Sequence, residues 1–288
     1  MALSCRMNML HGQQKRYSRF LLPLIFLFAR TLSLCQISPP GLDGANTSSW
    51  SALGFNQTYA KRWSTVVYLG FETQSNRATY NAFQNKAISV LNQETSYKLS
   101  KQWMLALCTS FRNQNIYDEE APYALSTPGL RREIRWYGRL FYRRQVGKMA
   151  LACSFRPEYR LFYTPDWQAW PSQKQWRFRF KVQGTWPLNK ERNLGFVLAN
   201  EWLLATQQQG QEEGRTWTPL HFTEDRFTTF LRKHFFEESI TADLGCMHQI
   251  QHGNQGWMYT FYVSADLIIN NPFGLMKKIM SDNTSVGF

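Results

Sequence analysis

After residue 35 the chain has no run of eighteen consecutive apolar residues, too little for a spanning helix, and a 3.6-residue period is hard to find over any long window. Both absences argue against helical membrane insertion. Cysteine is scarce: only Cys108, Cys153 and Cys246 follow residue 35, in a spacing that matches no zinc or disulfide framework, so they read as small apolar side chains. There is no Gly-x-Ser-x-Gly nucleophile elbow and no glycine-rich loop to cradle a phosphate. Nor is there a Pro/Gly/Ser linker or charge run to divide the remaining residues, which favours one domain. Acidic residues are the minority, 20 against 33 Lys and Arg.

The N-terminal stretch has the order of a cleavable signal peptide. Arg6, Lys15, Arg16 and Arg19 precede an apolar run from Phe20 to Ala29 and a short polar exit, with cleavage expected near Cys35 and Gln36. Cys35 raises the question of lipoprotein acylation, but Leu34 before it is bulky where a small residue is needed. Removing residues 1–35 lowers the formal charge from +13 to +8. The basic residues that remain alternate with aromatics instead of clustering, and an exported chain rarely meets nucleic acid. We therefore assign the charge to a lumen or to lipid headgroups, with no nucleic-acid partner.

What recurs along the exported chain is a two-residue period. Segments of about ten or more residues, rich in Phe, Tyr, Trp, Val and Thr, alternate strictly and end at turn-forming clusters, the signature of a transmembrane strand. From Lys148 to Tyr163, Met149, Leu151, Cys153, Phe155, Tyr159 and Leu161 share one parity, while Ser154, Arg156, Glu158 and Arg160 share the other. Before it, Ile134, Trp136, Leu140 and Tyr142 oppose Glu133, Arg135, Arg139 and Arg143. After it, Trp176, Phe178, Phe180 and Val182 oppose Arg177, Arg179, Lys181 and Gln183. Further strands are predicted near 50–60, 63–75, 83–98, 103–114, 194–206, 222–235, 238–251 and 257–270.

Those segments number eleven, whereas single-chain bacterial barrels usually have an even count. The expected fold is all-β, an antiparallel transmembrane β-barrel of about twelve strands with ten as the alternative. The missing strand is sought in the first mature residues or in the tail after Pro272. Short connections (60–62, 99–101, 145–148, 235–238) alternate with long ones (115–129, 164–174, 207–221), as in barrels with short turns on one side and long loops on the other. The division predicted is a signal peptide at 1–35, a lead-in at 36–49, the barrel at 50–270 and a tail at 271–288.

A soluble sandwich or a periplasmic lipocalin-like binding barrel would also alternate. Two features favour a membrane: the charged face combines Arg with Glu, and Trp50, Trp63, Trp103, Trp136, Trp176, Trp186, Trp202 and Trp257 mostly fall near strand ends, suited to the headgroup level. The expected location is the bacterial outer membrane. Its lipids and the export and barrel-insertion machinery are the expected partners.

Short motifs carry a family resemblance. Glu133, Arg135, Arg139 and the run Arg156-Pro157-Glu158-Tyr159-Arg160 within Arg131 to Phe162 resemble an uncharacterised outer-membrane family catalogued as domain of unknown function 2490. So do Arg177 to Lys181, Ala199-Asn200-Glu201, Glu224 to Arg226 and the alternating finish from Tyr259 to Asn270. The resemblance implies a signal peptide and an outer-membrane barrel, and carries no activity to transfer.

Parity places Glu133, Arg135, Arg139, Arg143, Arg156, Glu158, Arg160, Arg177, Arg179, Lys181, Glu201, Glu224, Arg226, Asp243 and Asp266 in the lumen. Two roles follow: a paired network that fills and rigidifies a narrow barrel, or an Arg-rich, porin-like path for small anionic solutes. A structural envelope role accompanies the first. An outer-membrane lipid hydrolase is the enzymatic alternative, with His248 on the outward parity as its base, but no outward Ser neighbours it on the flanking strands. The other histidines beyond residue 35 are His221, His234 and His252. No cofactor or metal site is predicted. The i, i+4 spacing of His248 and His252 is uninformative on a strand, and Asp118-Glu119-Glu120 reads as a solvated loop.

Overall fold

A computed structural model describes residues 39, 41–42, 44–210, 214–253 and 256–274. The predicted signal peptide and most of the tail, Phe288 included, lie outside the described residues. Twelve strands follow in order: β1 (Thr47–Thr58), β2 (Trp63–Gln74), β3 (Asn85–Lys98), β4 (Trp103–Tyr117), β5 (Leu125–Val146), β6 (Met149–Tyr163), β7 (Ala169–Pro187), β8 (Leu194–Gln209), β9 (Thr216–Trp217), β10 (His221–Phe235), β11 (Ile240–Gly253) and β12 (Gly256–Asn270). Each hydrogen-bonds to the next in antiparallel fashion from β1 to β8. Strand β8 then pairs with β10, and β10, β11 and β12 follow as an antiparallel meander.

Closure is made by β12 on β1, and that seam is parallel, with Thr47 beside Phe261 and Asn56 beside Asn270. Parallel pairing follows from the count. Around a closed ring of eleven strands, strict alternation brings the first and last strands together in the same direction. The eleven segments read from alternation are the ones that close. The twelfth strand is neither lead-in nor tail but the two-residue β9, which extends the sheet outside the ring by pairing with Gln208 and Gln209. Closure leaves no free sheet edge along the ring.

The connections sort by end. Turns at 59–62, 99–102, 147–148, 188–193 and 236–239 cluster at a short-turn end. Loops at 75–84, 118–124 and 164–168 stand at the other, the end to which β9 and the paired Gly253 and Gly256 also belong. Two expected long loops are shorter than alternation indicated, because Tyr117 still pairs with Leu125 and Tyr163 with Ala169 across register shifts. Backbone pairing there outlasts the inside–outside alternation of side chains.

The register is strongly staggered. The hydrogen-bonded row that starts at Trp63, beside the short-turn end, runs through Tyr97, Leu105, Leu140, Phe155, Phe180, Trp202 and Asp225 to Ile250 and Tyr259 near the long-loop end. A row that climbs while circling the barrel is the geometric counterpart of tilted strands.

The two faces differ sharply. Outside, Leu107 is 67% and Leu244 61% exposed, amid Leu69, Leu91, Phe180 and Leu231. Inside, Glu158 is fully buried and Arg226 almost so. Aromatic pairs mark both ends of the outer wall: Trp63–Tyr97 and Trp103–Tyr142 near the short turns, Tyr159–Trp176 nearer the loops. Trp50 departs from that pattern. It lies inside, 3% exposed, with its indole covering Gly70 and its Nε1 donating to Asp266 at 2.9 Å. A Cβ at Gly70 would fall 2.1 Å from the Trp50 ring, so glycine makes room for the indole. Cys108 also faces inward, its thiol donating to Asn92 Oδ1 at 3.2 Å, a polar role in place of the small apolar one expected.

Candidate functional site

The lumen is an ionic lattice built by parity. Side chains of one parity on β6, β7, β8 and β10 meet inside, and at the centre they form a closed cycle. Glu158 accepts from Arg179 Nη1 at 3.2 Å; Arg179 donates to Glu201 at 3.0 and 2.6 Å; Glu201 faces Arg226 Nη1 at 3.9 Å. Arg226 bonds Glu224, whose other oxygen lies 3.7 Å from Arg177, and Arg177 Nε returns to Glu158 at 2.8 Å. Each carboxylate in the cycle lies between guanidiniums and each guanidinium between carboxylates, the arrangement that offsets the desolvation of buried charge.

A branch leaves the cycle through Arg135, whose Nη1 lies 3.6 Å from Glu158 and whose Nε donates to Glu133 at 2.8 Å. Glu133 also takes a fork from Arg160, at 2.7 and 2.8 Å. Arg156 adds a further contact to Glu158 at 2.6 Å and lies over the Tyr137 ring, 3.5 Å from its centroid. Toward the short turns, Arg139 pairs with Glu94 at 3.1 Å. Lys181 stands directly opposite Glu201 in the register, and Arg232 grips Asp243 in a fork at 2.7 and 2.6 Å. Asp266 takes the Trp50 indole bond given above. Arg143 has no ion-pair partner among the described residues. All fifteen residues singled out in the sequence are thus on the enclosed face, and most join one network.

Several members were not singled out: Glu72, Glu94, Arg112, Arg131 and Arg232 face inward too. Their signal was present, since each shares parity with small or polar inward residues on its strand, as Arg112 does with Ser110 and Gln114. The element that sequence could not place is the lead-in. It enters at the long-loop end, where Asn46 Nδ2 donates to the carbonyls of Arg77 and Thr79. It then descends into the lumen.

There its backbone is gripped from several strands. Thr260 donates to the Ala45 carbonyl at 2.7 Å, and Leu42 is clamped at both its peptide groups, its N–H donating to Tyr262 Oη at 2.9 Å while Gln249 Nε2 donates to its carbonyl at 3.3 Å. Tyr262 donates in turn to Gln249 at 2.7 Å. Arg112 reaches the Gly41 carbonyl at 3.4 Å from β4, and Arg226 the Pro39 carbonyl at 3.2 Å from β10. Strands on different sides of the ring therefore hold one segment, so the strap crosses the lumen.

Glycine at position 41 leaves room that three side-chain ends take up. A Cβ there would lie 2.4 Å from Arg226 Nη2, 2.6 Å from Glu224 Oε2 and 2.9 Å from Gln249 Nε2. Leu42 is 1% exposed, an apolar side chain enclosed beside the polar lattice.

The remaining candidates sit apart. His248 faces outward, its ring stacked on Tyr259 at 5.8 Å between centroids, and its register neighbours are Phe227 and Phe261. Those aromatic neighbours supply no nucleophile. His252 meets Trp257 edge-on, His234 contacts the Thr241 hydroxyl inside, and His221 reaches the Pro219 carbonyl. Among the described residues no group of three His, Cys, Asp or Glu side chains is placed to hold a metal ion. Glu119 of the acidic loop pairs with Arg77 at 3.1 Å across the loop mouth.

No curated protein matches the chain. A family model for proteins of unknown function, DUF2490, matches residues 47–260, from the first residue of β1 into β12. The chain belongs to that family, and its barrel with an ion-paired, strap-crossed lumen is the fold this member presents.

Proposed function

We propose that this protein is an outer-membrane β-barrel closed at rest: an envelope protein whose lumen is filled by its ionic lattice and its own lead-in. The observation that carries the proposal is the inversion of polarity. Soluble barrels enclose their apolar side chains and present charge to water. Here the ring presents leucines, phenylalanines and tryptophans and encloses Arg and Glu, the arrangement a hydrocarbon solvent favours. The signal-peptide order of residues 1–35 agrees with that destination. With the short turns toward the periplasm, β1 of this odd-numbered ring starts at the outer end, and Leu42, Gly41 and Pro39 before it are held inside the lumen.

A second reading rests on the strap. Among the described residues, the hydrogen bonds that hold it in the lumen reach its backbone, so they are exchangeable for water, and guanidinium outnumbers carboxylate on the lattice behind it. Displacement of the strap would open a narrow path with a preference for anions. Reconstitution tests both readings. The mature chain is expected to float with liposomes and to show no steady conductance in planar bilayers, whereas a variant lacking residues 36–46 conducts with anion preference. Protein left in the supernatant after membranes are pelleted would overturn the location, and a constantly open wild-type pore would overturn the closed state.

A further inference from the structure

At the loop end the barrel holds a cavity of about 200 Å³. Its floor is made from paired strand positions, Gln74 beside Asn85 on β2 and β3 and Gln114 beside Arg131 on β4 and β5. Asp118, Glu119 and Tyr123 from the loop after β4 form the rim with Arg77 from the loop after β2, and Gly44 of the lead-in closes one side. Ile116 is the one aliphatic side chain among the described residues that line it. The cations here are engaged. Arg77 bridges the two loops to Glu119 at 3.1 Å, and Arg131, seated over the Phe162 and Trp170 rings, donates to Gln114 Oε1 at 2.8 Å. Asp118 is exposed at the rim.

Neutral amides are what remains. Gln74 is 6% exposed, yet its side chain has no hydrogen-bond partner among the described residues, and neither has that of Asn85. Gln114, also buried, uses its oxygen for Arg112 and Arg131 and leaves its NH2 group unused. Buried amides without partners are costly, and three line one hollow. We propose that this cavity binds a single neutral sugar ring. Each amide offers a donor, an acceptor or both, and a hydroxyl answers either. An anion would meet Asp118 and Glu119, and a cation would meet Arg77 and Arg131; a neutral ring avoids both penalties. Tyr117 and Tyr123, also in the lining, offer flat apolar faces for the C–H side of the ring. The volume falls below the roughly 300–1,000 Å³ of pockets for larger ligands, which admits one ring and not a chain. A free sugar and the last ring of a longer glycan present the same hydroxyls.

Titration calorimetry on the full mature chain, in a detergent without a sugar headgroup, tests the site with glucose, galactose, N-acetylglucosamine, their methyl glycosides and oligosaccharides that end in them. At least one neutral ring is expected to bind with a millimolar dissociation constant, the scale of so small a ligand, and with little dependence on salt. An oligosaccharide that binds at least as well as the free ring assigns the site to a glycan terminus; binding of the free ring alone assigns it to a free sugar. Gln74→Leu is expected to weaken binding about tenfold or more while the urea midpoint holds or rises, because the lost amide had no partner in the protein. Tyr123→Ala, at the rim, is expected to weaken it without altering the barrel. No heat from any of these sugars at tens of millimolar, a preference for sugar phosphates that collapses with salt, or binding unchanged in both variants would overturn the proposal. The site stands on the cavity and not on the location, so protein recovered in the soluble fraction would overturn the membrane reading alone.

Discussion

Replacing Glu158 with Gln removes one charge from the point where Arg135, Arg156, Arg177 and Arg179 converge at 2.6 to 3.6 Å. The change keeps the shape and one acceptor, so the effect isolates charge. Glu158 is wholly buried, and a unit charge pair near 4 Å interacts by about 4 kcal/mol at an effective dielectric of about 20. Loss of one partner from a buried ionic site typically costs about 3–5 kcal/mol, because the opposite charge stays behind in a dry place. That is a large share of the roughly 5–15 kcal/mol that holds a domain folded. Urea unfolding in lipid vesicles, followed by tryptophan fluorescence, is expected to show a loss of about 3–5 kcal/mol for Glu158→Gln. The rim variant Glu119→Gln, whose pair with Arg77 is exposed, is expected to change stability by at most about 1 kcal/mol. Adding Arg177→Met to Glu158→Gln removes a stranded guanidinium and should cost less than the two single losses combined. A Glu158→Gln protein within about 0.5 kcal/mol of wild type would refute the reasoning, since it would show that water screens the lattice.

Gly41→Val places a side chain where Arg226, Glu224 and Gln249 stand, so the strap is expected to leave its seat and channel activity to appear in bilayers without loss of the folded barrel. Gly245→Val sets a Cβ about 2.0 Å from the Thr229 carbonyl and against Phe230, and the displaced β10–β11 pairing is expected to lower stability by about 1–3 kcal/mol in the same urea assay. Brominated lipids are expected to quench Trp103, on the outer wall, and not Trp50, inside it. Trp103→Phe should then lower the quenchable fraction of the emission and Trp50→Phe should raise it.

How far the residues themselves spoke differs from element to element. The run from Met149 to Leu161 declared its two faces without help, because a strand's side chains alternate by local geometry alone, whatever it pairs with. The same rule put Glu158, Arg177 and Arg226 on the enclosed side. It could not name which carboxylate meets which guanidinium, since contacts between strands depend on a stagger that accumulates around the whole ring. Trp50 shows the limit of reasoning from residue type: an indole near a strand end suited the headgroup level, but its parity with Ser48 and Ala52 and the hollow above Gly70 drew it inside. Tertiary position likewise gives Gln74 its meaning, because only the paired strands and their loops set it at the floor of a cavity.

By itself, then, the sequence determined the all-β character, the eleven alternating segments and which parity carries charge, for these follow from a two-residue period written into each strand. Tertiary structure alone decided the parallel seam between β12 and β1, the cyclic ion pairing and the course of the lead-in through the lumen. Pro39, Gly41 and Leu42 have no period to betray them. Their place is set by hydrogen-bonding groups on β4, β10, β11 and β12, which come together only when the ring has closed.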